Sequence, residues 1–270
     1  MLEKIEKTAK YIRSKTKLQP KIAIILGTGL GGLVNEIKAE DIIPYTEIPN
    51  FPVSTVKGHQ GRLIFGHLNG VEVIAMQGRF HYYEGYDMKE ITFPIRVFKK
   101  LGVETLIVSN AAGGMNKNFK VGDIMFINDH INLMGNNPLL GKNYDELGPR
   151  FPDFSEPYDK KLLETAFNAA KKLNIPVHQG VYVAVTGPTF ETPAEYKYMR
   201  IIGGDAVGMS TVPEVIVARH SSMRAFAVSI ITDLGGMEEV VSVSHEEVLE
   251  AANKAEPKMT AILKEMIVNV

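Results

Sequence analysis

Residues 21–26, KIAIIL, form a short apolar run that stops on Gly27-Thr28-Gly29-Leu30-Gly31-Gly32. Such a run is too short to be a self-sufficient helix. It suits a strand covered on both faces of a mostly parallel sheet. The pattern recurs along the chain: residues 62–67, 71–77, 103–109, 123–128, 177–185, 205–207 and 225–231 read as further strands. Apolar residues at helical spacing mark 2–17, 88–101, 160–172, 194–202, 215–221 and 245–267 as helices, with 33–37 helix-like. Asn69-Gly70 reads as a hairpin turn, and Gly58-His59-Gln60-Gly61 as a tight turn before it. Residues 42–56, interrupted by Pro44, Pro49 and Pro52, read as irregular. Residues 129–158 read as a long loop of the kind retained for function or for contact with a partner. Strand and helix alternate without repeat or linker. The expected fold is therefore α/β, a single domain over 1–270 with a central mixed, largely parallel β-sheet flanked by helices.

Composition narrows the function. Thirty basic against 31 acidic residues leave a net charge of -1, so no broad electrostatic footprint for nucleic acid exists, and an anion must be caught locally. Cysteine is absent, which removes disulfides and thiolate metal sites and agrees with a cytoplasmic location. The N-terminus is charged and amphipathic, unlike a signal peptide, and no run approaches the ~18 apolar residues that span a bilayer. The 7 histidines lack metal-ligand spacing, so no metal is expected; the balanced charge and the short apolar runs give no reason to expect nucleic acid or a membrane as partner.

The chemistry-bearing residues fall just beyond strand ends. Thr28 follows the first run. Arg79 and His81 follow the 71–77 run, in QGRFHYYEGY. Ala111, Glu191, Ser210 and Asp233 each sit in what reads as a loop after a later strand. Ligands of open α/β sheets bind outside the carboxyl ends of the strands, so these six loops can converge on one crevice. Arginine stays charged and fits phosphate oxygens with two prongs, and the tyrosines after it offer flat faces to a sugar or base. Glu84 reads as a solvated acid, with orientation of His81 as the alternative. His67, His130, His178 and His220 receive no role.

Gly27 to Gly32 satisfies G-x-G-x-x-G, the dinucleotide fingerprint. A dinucleotide site also needs a strand ending in an acid ~20 residues further on, and the proline-broken region around Glu47 supplies a poor one. The loop can equally be a turn required for backbone geometry, or a cradle for one phosphate with Thr28 as an extra donor. DAVGMSTVPE at 205–214 is more specific: a short strand, a glycine and a helix start would put Ser210 at or beside an N-cap, where its hydroxyl caps the helix or reaches an anion.

Together these stretches closely resemble the trimeric purine nucleoside phosphorylases over essentially the whole chain. The matching segments are GTGLGGL at 27–33, GHQGRL at 58–63, QGRFHYYEGY at 77–86, SNAAGGMN at 109–116, VGDIMFINDHINL at 121–133, GPTFETPAE at 187–195, DAVGMSTVPE at 205–214 and HEEVL at 245–249. The resemblance implies a nucleoside phosphorylase-like fold and reversible phosphorolysis of purine ribonucleosides or deoxyribonucleosides. The products are free base and pentose 1-phosphate, in purine salvage, without metal or organic cofactor. It implies phosphate among Thr28, His59, Arg79, His81, the Ala111 backbone N–H and Ser210. Ribose would lie against Tyr83, Met209 and His245, and the base near Phe190, Glu191, Thr232 and Asp233. His81, Glu191 and Asp233 would act in the chemistry. Phe151 would reach the site of a neighbouring subunit in a homotrimer.

One position departs from the family. Enzymes of the mammalian type, specific for 6-oxopurines, carry asparagine where this chain has Asp233. A carboxylate only accepts, so it favours a 6-amino group, whereas ionised Glu191 accepts N1–H of a 6-oxopurine. Inosine and guanosine are the expected substrates, and Asp233 opens the site to adenosine. A related activity, phosphorolysis of 5′-methylthioadenosine, also goes with an aspartate at the base; His245 opposes it, because a methylthio group calls for an apolar pocket. A nicotinamide-dependent oxidoreductase and a non-catalytic nucleoside-binding protein are the more distant alternatives.

Overall fold

A computed structural model describes residues 1–56, 59–235 and 244–270. Gly58 of the expected tight turn and Gly236 at the end of the Asp233 segment lie outside the described residues. Helix α1 (Leu2–Arg13) packs its Ile5, Ala9 and Ile12 stripe inward. It is shorter than the expected 2–17. Strand β1 (Ile22–Leu26) is buried at every residue, as its unbroken apolar run requires. The glycine loop then leads into a 3-10 turn, Gly31–Glu36, in place of an α-helix. Strands β2 (Ile37–Pro44), β3 (Arg62–Leu68) and β4 (Val71–Gln77) form an antiparallel edge. Asn69 and Gly70 join β3 to β4 with φ of 50° and 84°, the two positive values a two-residue hairpin of this hand needs.

Helices α2 (Met88–Ile91) and α3 (Phe93–Leu101) replace one expected helix. Pro94 has no N–H to give to the carbonyl four residues back, which breaks the ladder at Thr92. Strands β5 (Thr105–Gly114) and β6 (Ile124–Asn132), helix α4 (Lys160–Lys172), strand β7 (His178–Ala184), helix α5 (Pro193–Ile201), strand β8 (Ala206–Gly208), helix α6 (Val212–His220), strand β9 (Arg224–Leu234) and helix α7 (His245–Ile267) complete the chain.

The sheet order is β2-β3-β4-β1-β5-β8-β7-β6-β9. β1 lies parallel between β4 and β5. β9 also pairs in parallel with β5, so β5, β9, β6, β7 and β8 close into a ring. The sheet is mixed and flanked by helices, as the alternating pattern indicated.

Three expectations are corrected. Residues 37–44, partly in the segment read as irregular, form an edge strand; four of its residues are exposed, so it lacks the apolar run that marks the interior strands. Its Pro44 ends the strand where the missing N–H does no harm. Ala111 lies inside β5 and Asp233 inside β9, because these two strands continue side by side beyond their apolar runs. The pairing steps from Ala112 opposite Ile231 to Gly113 opposite Asp233, leaving Thr232 as the extra residue of a bulge. Side chains alternate along a regular strand; the bulge is what turns both Thr232 and Asp233 to the same cavity.

Candidate active site

A cavity of about 410 Å³ opens beyond the carboxyl ends of β1, β4 and β7 and along the last residues of β5 and β9. Thr28, Arg79, His81, Tyr83, Ala111, Phe190, Glu191, Met209, Ser210, Thr232, Asp233 and His245 all line it. Two of the expected residues do not. His59 stands behind the wall, its Nε2 3.3 Å from Thr28 Oγ1. Phe151 is 88% exposed on the surface of its own chain.

At one end sits Arg79, 2% exposed. Its Nη1 donates to the Ser109 carbonyl at 3.0 Å and to Ser210 Oγ at 2.8 Å. Glu214, from the first turn of α6, stands 3.2 Å from Nε without hydrogen-bond alignment, and Nη2 has no partner. A buried guanidinium with an unused donor in a cavity is a site for an anion. Burial outweighs Glu84 in holding the pKa of His81 down. Burial, with His81 and Arg79 as neighbouring charges, lowers that of His59 to about 4. Arg79 is the one arginine or lysine among the described lining residues.

His81 is held in place by Glu84. The carboxylate accepts the His81 backbone N–H at 2.7 Å and lies 3.2 Å from Nδ1, leaving Nε2 to the cavity. Burial opposes the charge on Glu84, but hydrogen bonds from His81 and Thr55 prevail and bring its pKa down to about 2. Its side chain is only 2% exposed, which overturns the reading of Glu84 as a solvated acid. Tyr83 stacks on His81 at 4.7 Å between ring centres, and His59 stacks on the same imidazole at 5.4 Å.

Ser210 is buried beside Arg79, but it is not the helix cap. Thr211 takes that position with φ of 74° and ψ of -53°, and Val212 N–H donates to the Ser210 carbonyl two residues back. A γ-turn with positive φ at a β-branched residue is strained. Asn110 Nδ2 holds it by donating to Thr211 Oγ1 at 2.8 Å.

At the other end stand two acids. Burial raises the pKa of Glu191, with Asp233 adding to the effect. Burial raises that of Asp233 as well, partly offset by the Thr232 and Tyr196 hydroxyls, which donate to Oδ1 at 3.0 Å and Oδ2 at 3.1 Å. His245, the first residue of α7, and Met209 lie along the wall. Among the described residues no cluster of three or more His, Cys, Asp or Glu could hold a metal ion, and no helix is long and apolar enough to cross a membrane.

The sequence reading gave no role to Glu214, Asn110 or Tyr196. Glu214 follows a proline at a helix start, where an acid is ordinarily solvated, and Asn110 sits in a small-residue run. Tyr196 shares the inner face of α5 with Met199, a spacing that announces core and says nothing of where a hydroxyl points.

Comparison with known proteins agrees with this geometry. The phosphorylase superfamily matches residues 21–268. The chain is 53% identical to purine nucleoside phosphorylase 1 of Bacillus subtilis, covering 99% of this chain and 98% of that one. It superposes with a TM-score of 0.94 on Schistosoma mansoni purine nucleoside phosphorylase in complex with adenosine, at 45% identity, covering 98% and 96% of the two chains. The same enzyme in complex with inosine also gives 0.94, at 44% identity and 100% and 97% coverage. The chain belongs to the phosphorylase superfamily, among its purine nucleoside phosphorylases.

Proposed function

We propose that the chain catalyses phosphorolysis of purine nucleosides, with inorganic phosphate as co-substrate, no cofactor, and release of free base and pentose 1-phosphate. The observation that carries the reading is one cavity with a buried, incompletely paired cation at one end and two burial-shifted acids at the other. Phosphate lies against Arg79, Ser210, Thr28 and the Ala111 N–H, with His59 supporting Thr28. With Nδ1–H given to Glu84, His81 Nε2 accepts the remaining proton of hydrogen phosphate and turns a bare oxygen toward C1′. Ribose fits between Tyr83, Met209 and His245, and the purine between Phe190, Glu191, Thr232 and Asp233.

Attack on C1′ passes through a sugar resembling an oxocarbenium ion. Phosphate is the nucleophile, so the protein's tasks are to orient it and to receive the charge that leaves on the base. The acid pair holds one proton in the complex. For inosine it sits on Asp233, which donates toward the base while Glu191 accepts N1–H. For adenosine it sits on Glu191, which donates to N1 while Asp233 accepts the 6-amino group. We place the reaction in the cytoplasm and in a homotrimer, where Phe151 of one subunit closes the site of the next.

The test is phosphate-dependent release of base from inosine, adenosine and 5′-methylthioadenosine in parallel. Hypoxanthine release only with phosphate present is expected. Release without phosphate, or from methylthioadenosine alone, overturns the reading.

A further inference from the structure

Tyr196 lies outside the cavity wall, 6% exposed, with its hydroxyl turned to the acid pair's Asp233. It donates to Asp233 Oδ2 at 3.1 Å, and the same hydroxyl also favours the charged form of the Glu191 carboxyl, against the burial that raises its pKa. Space for it is made on two sides: a Cβ on Gly113 would stand 2.8 Å from the phenol oxygen, and one on Gly235 would stand 2.1 Å from the ring. A phenol has one proton to give and lone pairs to receive another. Set between two carboxylates, it can donate to only one of them at a time.

We propose that Tyr196 is a positioning residue that couples Glu191 to Asp233, its O–H turning to whichever carboxylate is ionised, so that the pair shares one proton and the site accepts both 6-oxo and 6-amino purines. This rests on the purine-phosphorolysis reading. With a 6-oxopurine, Asp233 carries the pair's proton, Glu191 is charged, and Tyr196 donates to Glu191. With a 6-aminopurine, the proton is on Glu191, Asp233 is charged, and Tyr196 donates to Asp233. No proton is gained or lost between the two arrangements; two hydrogens change acceptors. Thr232 gives Asp233 a second donor and Glu191 has its own backbone N–H, so neither acid is stripped when the phenol turns away. Glu195, in the first turn of α5 and held by Thr192, is a further charge acting on Glu191, and His245, the first residue of α7, is a further titratable group on the cavity wall.

Tyr196→Phe keeps the ring that fills the space beside Gly235 and removes only the hydroxyl. Removing a hydrogen bond to a charged group shifts a carboxyl by about one to two pH units. Two measurements read this. In the unliganded protein, a carbon-13 titration of the side-chain carboxyls should show Asp233 ionising about one unit higher in the variant. In kinetics, the acidic limbs of the kcat/KM profiles for inosine and adenosine should move up together by a similar amount. In an Asp233→Asn background, where no second carboxylate remains, Tyr196→Phe should leave the inosine-to-adenosine ratio unchanged within about twofold. A hydroxyl that only fills space would scale the profiles down without moving them, and an unmoved Asp233 titration overturns the proposal. The titration needs no turnover, so it stays decisive for the coupling even if phosphorolysis itself is not observed.

Discussion

Asp233 is a carboxylate whose ionisation is opposed by burial and supported by two hydroxyls. Exchange for an amide removes the acid but keeps its size, and an amide can donate to O6 and accept from N7–H together. Asp233→Asn should lower the adenosine-to-inosine ratio of kcat/KM at least ~10-fold, the worth of one hydrogen bond to a charged group. An unchanged ratio would show that the base is not read at Asp233. Glu84 has the opposite electrostatics. Its pKa is depressed from 4.5 to about 2, so it contributes stability that is full above 4.5 and lost as pH falls toward 2. Glu84→Gln should therefore unfold at a lower temperature than the parent at pH 7, and the gap in Tm should close between pH 4.5 and 2. The same substitution frees the His81 ring, so KM for phosphate should rise about 10-fold while KM for inosine changes little. A Tm gap that persists at pH 2 would mean Glu84 acts through packing and not through its charge.

The supports of the site are built into the elements. Gly78 joins β4 to the Arg79 segment with φ of 109°, and a Cβ there would stand 2.7 Å from the His59 Cβ. Both the positive φ and the close approach exclude a side chain. Gly78→Ala should lower stability by about 2 kcal/mol or more, read from the urea midpoint, and should displace His59 from Thr28. A variant with parental stability would mean the segment is free to shift. At this scale the sequence was legible where physics is local. Apolar runs marked the interior strands, Asn69-Gly70 marked its hairpin, and the start of α7 was placed at His245. Illegible features depend on partners far along the chain. β2 is strand only because β3 lies beside it, Ala111 and Asp233 are strand only because β5 and β9 extend together, and the Thr232 bulge exists only in their register. Tyr196 and Glu214 were hidden for a related reason, since a sequence shows a hydroxyl or an acid but not what it will face after burial.

The whole chain leaves apolar surface where a neighbour would be useful. Phe151 is 88% exposed with the Arg150 guanidinium 5.7 Å from its ring centre, and Phe190, on the cavity wall, is 41% exposed. On α5, Tyr198 and Ile201 are 53% and 73% exposed. If Phe151 completes the site of the next subunit, losing it damages a neighbour's site and spares its own. Phe151→Ala should keep its fold and raise KM for the nucleoside about 10-fold or more, in line with an aromatic side chain losing its burial at an interface. Arg79→Ala should be inactive in its own site while still presenting Phe151. At low inosine the Arg79→Ala homo-oligomer is inactive and the Phe151→Ala one is impaired, yet when subunits exchange, a Phe151→Ala subunit whose neighbour is Arg79→Ala regains a complete site. Mixing the two should therefore give more activity at low inosine than the sum of the separate proteins, growing with the time allowed for exchange. Exchange seen by mass or fluorescence without any such gain would place Phe151 outside the neighbouring site and leave each cavity complete within one chain.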